Sequence, residues 1–483
     1  MWNFKLQALT FLFFITGVLS NLSGQYSNTM YFMPDIIQSR YLNPAIGQQC
    51  KFTLGVPALS SFYFNYANNA ASYNDVLGRG VPHVLDPQET VNLLHKKNYI
   101  ETSIQPTLFS LGYRHKDFTF SFDIIEKINL LVGIPKDLVA FPLYGNIKPG
   151  ELSGFLDSKN TYDFSGLGVD FLHMREYAFG IAQDYNEYFS RGLRLKLLFG
   201  KMNVNTQKVK SSIYTNPEGI HDITMQTDNV INASLPLDYV INNNRISGAT
   251  YNDAGISDIL LNRKNYGIAF DLGGIYSFHE PFVFHASLLD AGVIRWQTNP
   301  INVEQDGEFI YEGIDDLQDS DVTSYGREIL DTLAEEFLYS SGNDGYYTLS
   351  PAKIYLGATY QMMENLKIGI LSRNELKERR LFPSVTLSAN YKPLKHVLAT
   401  LSYTVANRSL NNIGFGLGVG TEVFQFYVIN DNVLGTIYPQ TIQNMGIRFG
   451  MSMLFGCRER QKATGAGCFW IKDRLGTLKC PCK

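Results

Sequence analysis

The feature that most constrains the fold is a long alternation between apolar residues and small or polar residues. From Tyr266 the sequence reads YGIAFDLGGIYSF, and after a three-residue turn a second alternating segment continues to Trp296. A period of two residues is typical of β-strands. Each segment runs for about 13 residues, against a usual strand length of ~5–6. Strands this long, with one apolar face, indicate a membrane-spanning barrel.

The same alternation recurs along the chain and predicts an all-β fold, a transmembrane antiparallel β-barrel of about 14 strands. The predicted strands span residues 51–66, 104–113, 118–126, 173–184, 192–200, 266–278, 282–296, 354–361, 366–373, 384–391, 397–405, 413–420, 423–430 and 445–455. Connections after even-numbered strands are a few residues long, whereas those after odd-numbered strands are longer. This asymmetry is typical of outer-membrane barrels, whose periplasmic turns are short and whose extracellular loops are long.

The longest predicted extracellular loops carry short helices. These loops span residues 67–103, 127–172, 203–264 and 297–350. A capping pattern beginning at Asp86-Pro87 predicts a helix to about Lys97. A helical apolar stripe predicts a second helix at about 327–339.

The termini predict an exported protein. Residues 1–24 read as a signal peptide, with one Lys followed by an apolar stretch, and cleavage could follow Ser20 or Gly24. We expect a periplasmic N-terminal segment over 25–50, the barrel over 51–456 and a basic, Cys-containing periplasmic tail over 457–483. An even number of strands leaves both termini in the periplasm. The signal peptide and the membrane-spanning barrel together predict that the protein lies in the outer membrane.

Composition and motifs exclude several classes of function. The net charge of −4 gives no indication of a nucleic-acid partner. HExxH, P-loop, GxSxG and CxxC motifs are absent from the sequence. We therefore predict that the protein is not an enzyme and needs no cofactor or metal.

Charged residues on the polar parity of the strands are the candidate lumen-facing site. They are Arg194, Lys196, Asp271, His285, Lys367 and Arg448. They could form a selectivity or substrate-orienting site, or a buried network that ties the strands to a plug. A lumen of fourteen strands is wider than side chains alone fill. The predicted helices and the 25–49 segment are the candidate plugs.

The positions of four glycines and one tryptophan predict where these residues lie in the barrel wall. Gly414, Gly416, Gly418 and Gly420 alternate with apolar residues, which indicates a small lumen-facing strand surface where another segment approaches the backbone closely. Trp296 is expected in the outer aromatic girdle.

Two clusters could hold metals. In the acidic loop, Asp315, Asp316, Asp319 and Asp321 could bind calcium or form a solvated surface. In the tail, Cys457, Cys468, Cys480 and Cys482 could bind zinc, or belong to a disordered or disulfide-linked segment. Cys50 stands alone near the first strand, and the barrel is not expected to need a disulfide framework.

Several segments resemble an uncharacterised outer-membrane barrel family of Bacteroidota. They are SNTMYFMPDIIQSRYLNPA near the N-terminus, GVPALSS from Gly55, SLLDAGVIRW from Ser287 and Asp431-Asn432-Val433. Asn43-Pro44-Ala45 also resembles fatty-acid-transporter type barrels and the barrel partners of the type IX secretion system.

The resemblance implies two functions of different kinds. The first is a passive channel or transporter for small or hydrophobic solutes. The second is a non-catalytic partner in an outer-membrane secretion or assembly complex. Outer-membrane lipid, a small hydrophobic solute or a secretion-complex partner are therefore the expected partners.

Overall fold

The computed structural model describes most of the chain between Asn28 and Cys457. The described residues are 28–70, 91–144, 161–216, 223–242, 245–251, 255–278, 281–311, 339–377, 380–406, 409–438, 443–457, 471–472 and 478–479.

Fourteen long strands form the barrel wall, which confirms the predicted fold class. They are β1 (Cys50–Gly55 and Phe62–Asn68), β2 (Lys97–His115), β3 (Phe118–Pro135), β4 (Gly168–Asp184), β5 (Phe189–Thr215), β6 (Asn265–Phe278), β7 (Phe282–Trp296), β8 (Ala352–Met363), β9 (Leu366–Lys377), β10 (Arg380–Leu394), β11 (Val397–Ala406), β12 (Ser409–Gly420), β13 (Phe424–Asn430) and β14 (Asn444–Cys457). β1 is interrupted around Pro57, which has no amide hydrogen for a strand ladder.

Each wall strand pairs antiparallel with its neighbour in sequence, and the last strand pairs with the first. Residues 50–55 of β1 pair with 452–457 of β14, and residues 62–67 pair with 444–449. The barrel is therefore closed, and the wall has no free strand edge on which another chain could pair.

The two faces of the wall differ sharply in exposure. On β6, Ile268 is 63% exposed and Phe270 41% exposed, whereas the intervening Ala269 is 4% exposed and Asp271 is fully buried. Exposed apolar side chains continue around the barrel on the outward parity of the other strands. A closed barrel with an apolar outer belt satisfies every backbone polar group within lipid, so the protein resides in the outer membrane.

Several wall strands extend beyond the predicted loop boundaries. β2 begins at Lys97, β3 continues to Pro135 and β5 continues to Thr215, so parts of the predicted loops are strand. Additional strands on the extracellular side pair with these extensions, with the end of β7 or with each other. They are Thr161–Asp163, Ile223–Ser234, Leu237–Asn242, Arg245–Tyr251, Pro300–Tyr311, Tyr339–Gly342 and Tyr346–Leu349. Two further short strands, Ile471–Lys472 and Leu478–Lys479, pair with each other in the tail.

The described helices are short. They are α1 (Asn28–Tyr31), a 3₁₀ helix (Ile37–Tyr41), α2 (Lys136–Tyr144), α3 (Ile256–Leu261) and α4 (Val433–Ile437). Only residues 91–93 of the predicted helix after Asp86 are described, and they are helical. The predicted helix at 327–339 lies outside the described residues except for Tyr339, which begins a strand. Among the described residues, no helix is long and apolar enough to cross a membrane.

Candidate functional site

The N-terminal segment lies inside the barrel. Residues 28–49, which we call the plug, are almost entirely buried by wall strands from all sides of the lumen. Ser39 stabilises their compact path, because its hydroxyl donates to the carbonyl oxygens of Met30 and Met33 at 3.2 and 2.6 Å. Of the candidate plugs, the N-terminal segment is thus the one that occupies the lumen, whereas the sequence also predicts it in the periplasm.

Inward-facing glycines give the plug its space. A Cβ atom at Gly416 would lie 2.6 Å from Met33 Sδ, and one at Gly418 would lie 2.7 Å from Ile36 Cδ1. Real Cβ atoms do not approach other heavy atoms this closely, so a larger residue at either position would force the side chain of Met33 or Ile36 to shift. The predicted close approach is therefore observed at Gly414, Gly416 and Gly418, where the approaching segment is the plug, but not at Gly420.

The Asn43-Pro44-Ala45 turn is held in the same way on the opposite side of the lumen. Asn43 Oδ1 accepts from the Ala45 amide at 3.0 Å. Pro44 and Ala45 pack directly on the backbones of Gly192 and Gly273. Neither glycine could carry a side chain without moving the turn.

The plug tip binds the extracellular end of the wall. Thr29 donates from its amide and its hydroxyl to Asp431 Oδ1, at 3.1 and 2.7 Å. Asp431 directly follows β13 and is buried, and this desolvation raises its pKa to about 6 despite the bonds from Thr29, which lower it. Asn28 donates to Ser384 and Thr386 at 3.1 Å each.

A charge network occupies the side of the lumen formed by β3 to β8. Five cations and four acids belong to it: Arg40, Lys127, Arg194, Lys196, Lys353, Asp123, Glu176, Asp271 and Asp290. All are buried except Lys353, which is half-buried. Opposite charges at contact distance offset the cost of removing each one from water.

Asp290 is the acid on which the lysines of the network converge. Its carboxylate lies 2.6 Å from Lys196 Nζ, 2.8 Å from Lys127 Nζ and 2.8 Å from Lys353 Nζ. A β-bulge places it there, because the register between β6 and β7 shifts by one residue at this point and Asp290 has φ 57°. Its own amide donates to Asp271 Oδ1 at 2.7 Å.

The network also holds the second half of the plug. Arg40 lies 2.7 Å from Asp123, and the Tyr41 hydroxyl donates to the same carboxylate at 3.0 Å. Arg194 reaches the other oxygen of Asp123 at 3.2 Å and lies over the Tyr41 ring at 5.1 Å. The plug is thus joined to the wall by ionic contacts at residues 40–41.

The structure brings three of the six predicted lumen residues together. Arg194, Lys196 and Asp271 belong to the charge network, where Lys196 and Asp271 are 2.7 Å apart.

The other three lie elsewhere in the lumen. His285 contacts the Tyr31 ring of the plug at 6.0 Å between centroids. Arg448 donates to Ser61 at 3.1 Å and covers the Tyr63 ring at 4.3 Å. Lys367 is half-buried on β9.

Sequence reasoning missed most of the acids of the network. Asp123 alternates with Phe120 and Phe122, and Glu176 shares the parity of Ala178, so the alternation already marked both as inward-facing. Lys127 is the first residue of the predicted loop 127–172, whereas in the structure it lies on β3. Asp290 carried no such signal, because the bulge reverses its parity.

The expectation for Trp296 is wrong for the same reason. Trp296 is fully buried on the inner face, where its ring packs on Gly200 and Tyr346 and its indole nitrogen donates to Thr348 at 2.8 Å. One extra residue at the bulge turns Trp296 inward and Arg295 outward. Trp296 therefore closes the interior and does not belong to the outer girdle.

The expectation that Cys50 stands alone is wrong, and of the alternatives for Cys457 the structure supports a disulfide. Cys50 and Cys457 form a disulfide that joins the paired ends of β1 and β14. Cys457 is consequently the last residue of the wall, and it is not available to a four-thiol zinc site. The acidic loop and the other tail cysteines lie outside the described residues, and within the described part no group of three or more His, Cys, Asp or Glu could hold a metal ion.

Fold and site together define a plugged outer-membrane β-barrel. The chain belongs to the family described as "Family of unknown function (DUF5723)", which matches residues 44–431. This membership confirms the resemblance to an uncharacterised barrel family. No curated protein matches the chain.

Three solved structures have a low similarity to this chain. A Pseudomonas aeruginosa FadL homologue is 10% identical, covers 91% of this chain and 100% of its own, and gives a TM-score of 0.43. The Ralstonia pickettii toluene transporter TbuX is also 10% identical, with 88% and 95% covered and a TM-score of 0.39. The Pseudomonas putida toluene transporter TodX is 8% identical, with 90% and 94% covered and a TM-score of 0.36. Similarities of this size do not identify a ligand, and none supports a partner in secretion.

Proposed function

We propose that this protein is a passive channel or transporter that carries small or hydrophobic solutes across the outer membrane. The observation that supports the proposal is an apolar contact between the plug and one side of the lumen. The residues of this apolar contact are Met30, Tyr31, Phe32, Met33, Ile36 and Leu42 of the plug and Leu289, Tyr355, Leu371, Leu398, Tyr427 and Ile429 of the wall.

This apolar side of the lumen is unusual for a barrel interior, which is ordinarily polar. Tyr31 stacks on Tyr355 at 5.2 Å, and the two methionines bring flexible side chains that repack readily. When residues 30–36 move away, an apolar surface lines the freed space. A surface of this kind accepts hydrophobic solutes and leaves ions in water.

The two halves of the plug are held by different forces. Arg40 and Tyr41 are fixed by buried ionic contacts, and separating a buried ion pair costs several kcal/mol. Residues 30–36 depend mainly on apolar packing, and the tip is held by Thr29 on Asp431. Asp35 adds an ion pair with Lys392 at 2.6 Å, which is partly exposed and therefore weaker than the buried contacts of Arg40. Movement of the first half, with 40–41 remaining in place, is therefore the least costly way to open a passage.

Uptake by intact cells tests the proposal. Cells producing the protein are exposed to the fluorescent hydrophobic dye N-phenylnaphthylamine, and purified protein in liposomes is tested for arabinose permeation by swelling. The side chain of Gly416→Leu would displace Met33 of the plug, so this variant should raise permeation above wild type. Gly420→Ala on the same strand should not raise it, because a Cβ at that position meets its nearest atom only at 3.9 Å. If wild type and Gly416→Leu both match cells and liposomes without the protein, for the dye and the sugar alike, the proposal is rejected.

A further inference from the structure

A second candidate site lies at the extracellular rim, outside the lumen. A cavity of about 580 Å³ opens there between the strand Leu237–Asn242, the connection that precedes Pro300–Tyr311 and the connection from Tyr339–Gly342 to Tyr346–Leu349. Its lining is polar and aromatic, with Asp238, Tyr239, Arg295, Gln297, Asn299, Asn343 and Tyr347 among its residues. Side chains of this kind supply donors and acceptors for hydroxyl groups, together with flat apolar faces.

The membrane side of this rim cavity is formed by outward-facing residues. Arg295 lies over the Tyr347 ring at 5.8 Å and within 3.4 Å of the Tyr266 hydroxyl. Tyr347 is 60% exposed and Tyr266 is 51% exposed. The β7 bulge produces this arrangement, since it turns Arg295 outward. A guanidinium is therefore held between two tyrosines at the level where the membrane ends.

Apolar side chains continue from the rim cavity toward the membrane core. Ile268 follows Tyr266 on the outward face of β6 and is 63% exposed, and Leu349 follows Tyr347 on the adjacent strand and is 73% exposed. A ligand in contact with both regions needs a polar, anionic head and hydrocarbon chains. The outer leaflet offers such a molecule directly beside the wall.

We propose that the rim cavity binds the phosphorylated saccharide headgroup of a lipopolysaccharide molecule in the outer leaflet. Arg295 donates to a phosphate, since its planar guanidinium matches phosphate oxygens. Asp238, Asn299 and Asn343 bind sugar hydroxyl groups. The acyl chains lie on Ile268 and Leu349.

Lipid retention by the full-length protein tests the assignment. Protein extracted in mild detergent is analysed by native mass spectrometry before and after addition of lipopolysaccharide from the producing strain. Arg295→Ala and Tyr347→Ala are compared with Arg191→Ala, which removes an arginine held over Tyr185 at 4.9 Å beside a short periplasmic turn. Heat-modifiable migration on gels shows that each variant is folded.

The expected result is one retained lipopolysaccharide in wild type and in Arg191→Ala. Arg295→Ala should weaken retention about tenfold or more, the loss expected for one charge-assisted contact. Equal retention by Arg295→Ala and Arg191→Ala overturns the proposal. Binding of inorganic phosphate alone or of a neutral oligosaccharide as tightly as lipopolysaccharide also overturns it, because the site would then recognise a soluble ligand.

Discussion

Asp290 and Lys196 meet at 2.6 Å in the lumen, although they come from β7 and β5 and β6 separates these strands. The carboxylate also binds Lys127 and Lys353. One acid at a bulge thus neutralises lysines from three other wall strands. This arrangement makes Asp290 the residue of the network whose loss should be most costly.

We predict that Asp290→Asn destabilises the barrel by about 3–5 kcal/mol, because it leaves buried lysines without their shared partner. The temperature at which heat-modifiable migration is lost measures the effect. Asp228→Asn is the matched control, since it breaks a partly exposed ion pair with Lys208 and should cost about 1 kcal/mol or less. Equal melting of the two variants would contradict the importance assigned to the network.

A charge on the outer belt should interfere with membrane assembly. Phe270→Lys places an ammonium group on the lipid side of β6 and should cost about 2–4 kcal/mol near the bilayer midplane. Phe270→Leu keeps the surface apolar and should assemble normally. The measurement is the yield of folded, heat-modifiable protein in outer-membrane fractions. Similar yields for Phe270→Lys and Phe270→Leu would show that Phe270 does not face the lipid.

The stability of the barrel should decrease as pH rises through the titration of Asp431. The pKa of Asp431 is about 6 in the folded protein, against an ordinary value of 3.8. The unfolded chain therefore releases this proton at lower pH than the folded protein does. Unfolding is consequently favoured as pH rises from about 4 to 6. Asp431→Asn retains an acceptor for Thr29 and removes this dependence. Melting curves between pH 4 and 7 should therefore be flatter for the variant, and parallel curves would exclude Asp431 as the source.

The disulfide between Cys50 and Cys457 should be detectable in purified protein. Alkylation without reduction should leave these two of the five cysteines unlabelled, and peptide mapping should recover the linked pair. Cys457→Ser should lower stability by about 2–4 kcal/mol. Full labelling of both cysteines in unreduced protein would show that the first and last strands are joined by hydrogen bonds alone.

The sequence predicted the wall because a bilayer imposes a strict period of two on every strand. Exposed apolar and buried polar residues therefore alternate along β6 and β10 as expected. The bulge at Asp290 could not be predicted from that period, since one inserted residue reverses all later positions without changing the composition. It accounts for the incorrect placement of Trp296 and for the unrecognised outward position of Arg295.

The plug was less accessible to prediction. Residues 28–49 have no regular period, and their conformation is set by contacts with distant strands, such as Met33 on Gly416 and Arg40 on Asp123. The width of a fourteen-strand lumen and the inward glycines of β12 predicted that a segment enters the barrel, with 25–49 among the candidates, but neither predicted its path. Of the cations of the network, Arg194 and Lys196 followed from parity, whereas the bonds that join them to particular acids depend on how the wall closes around the plug.

The most direct test of the proposed passage is to fix the plug tip to the wall. Thr29 Oγ1 and Ser402 Oγ lie 2.7 Å apart, so Thr29→Cys and Ser402→Cys together should form a disulfide. With this bond oxidised, we predict that dye uptake by cells falls to the level of cells without the protein. Reduction should restore uptake, and Ser402→Cys alone should behave like wild type. If uptake is the same with the tip bonded and released, the first half of the plug does not open the passage, and the central claim is wrong.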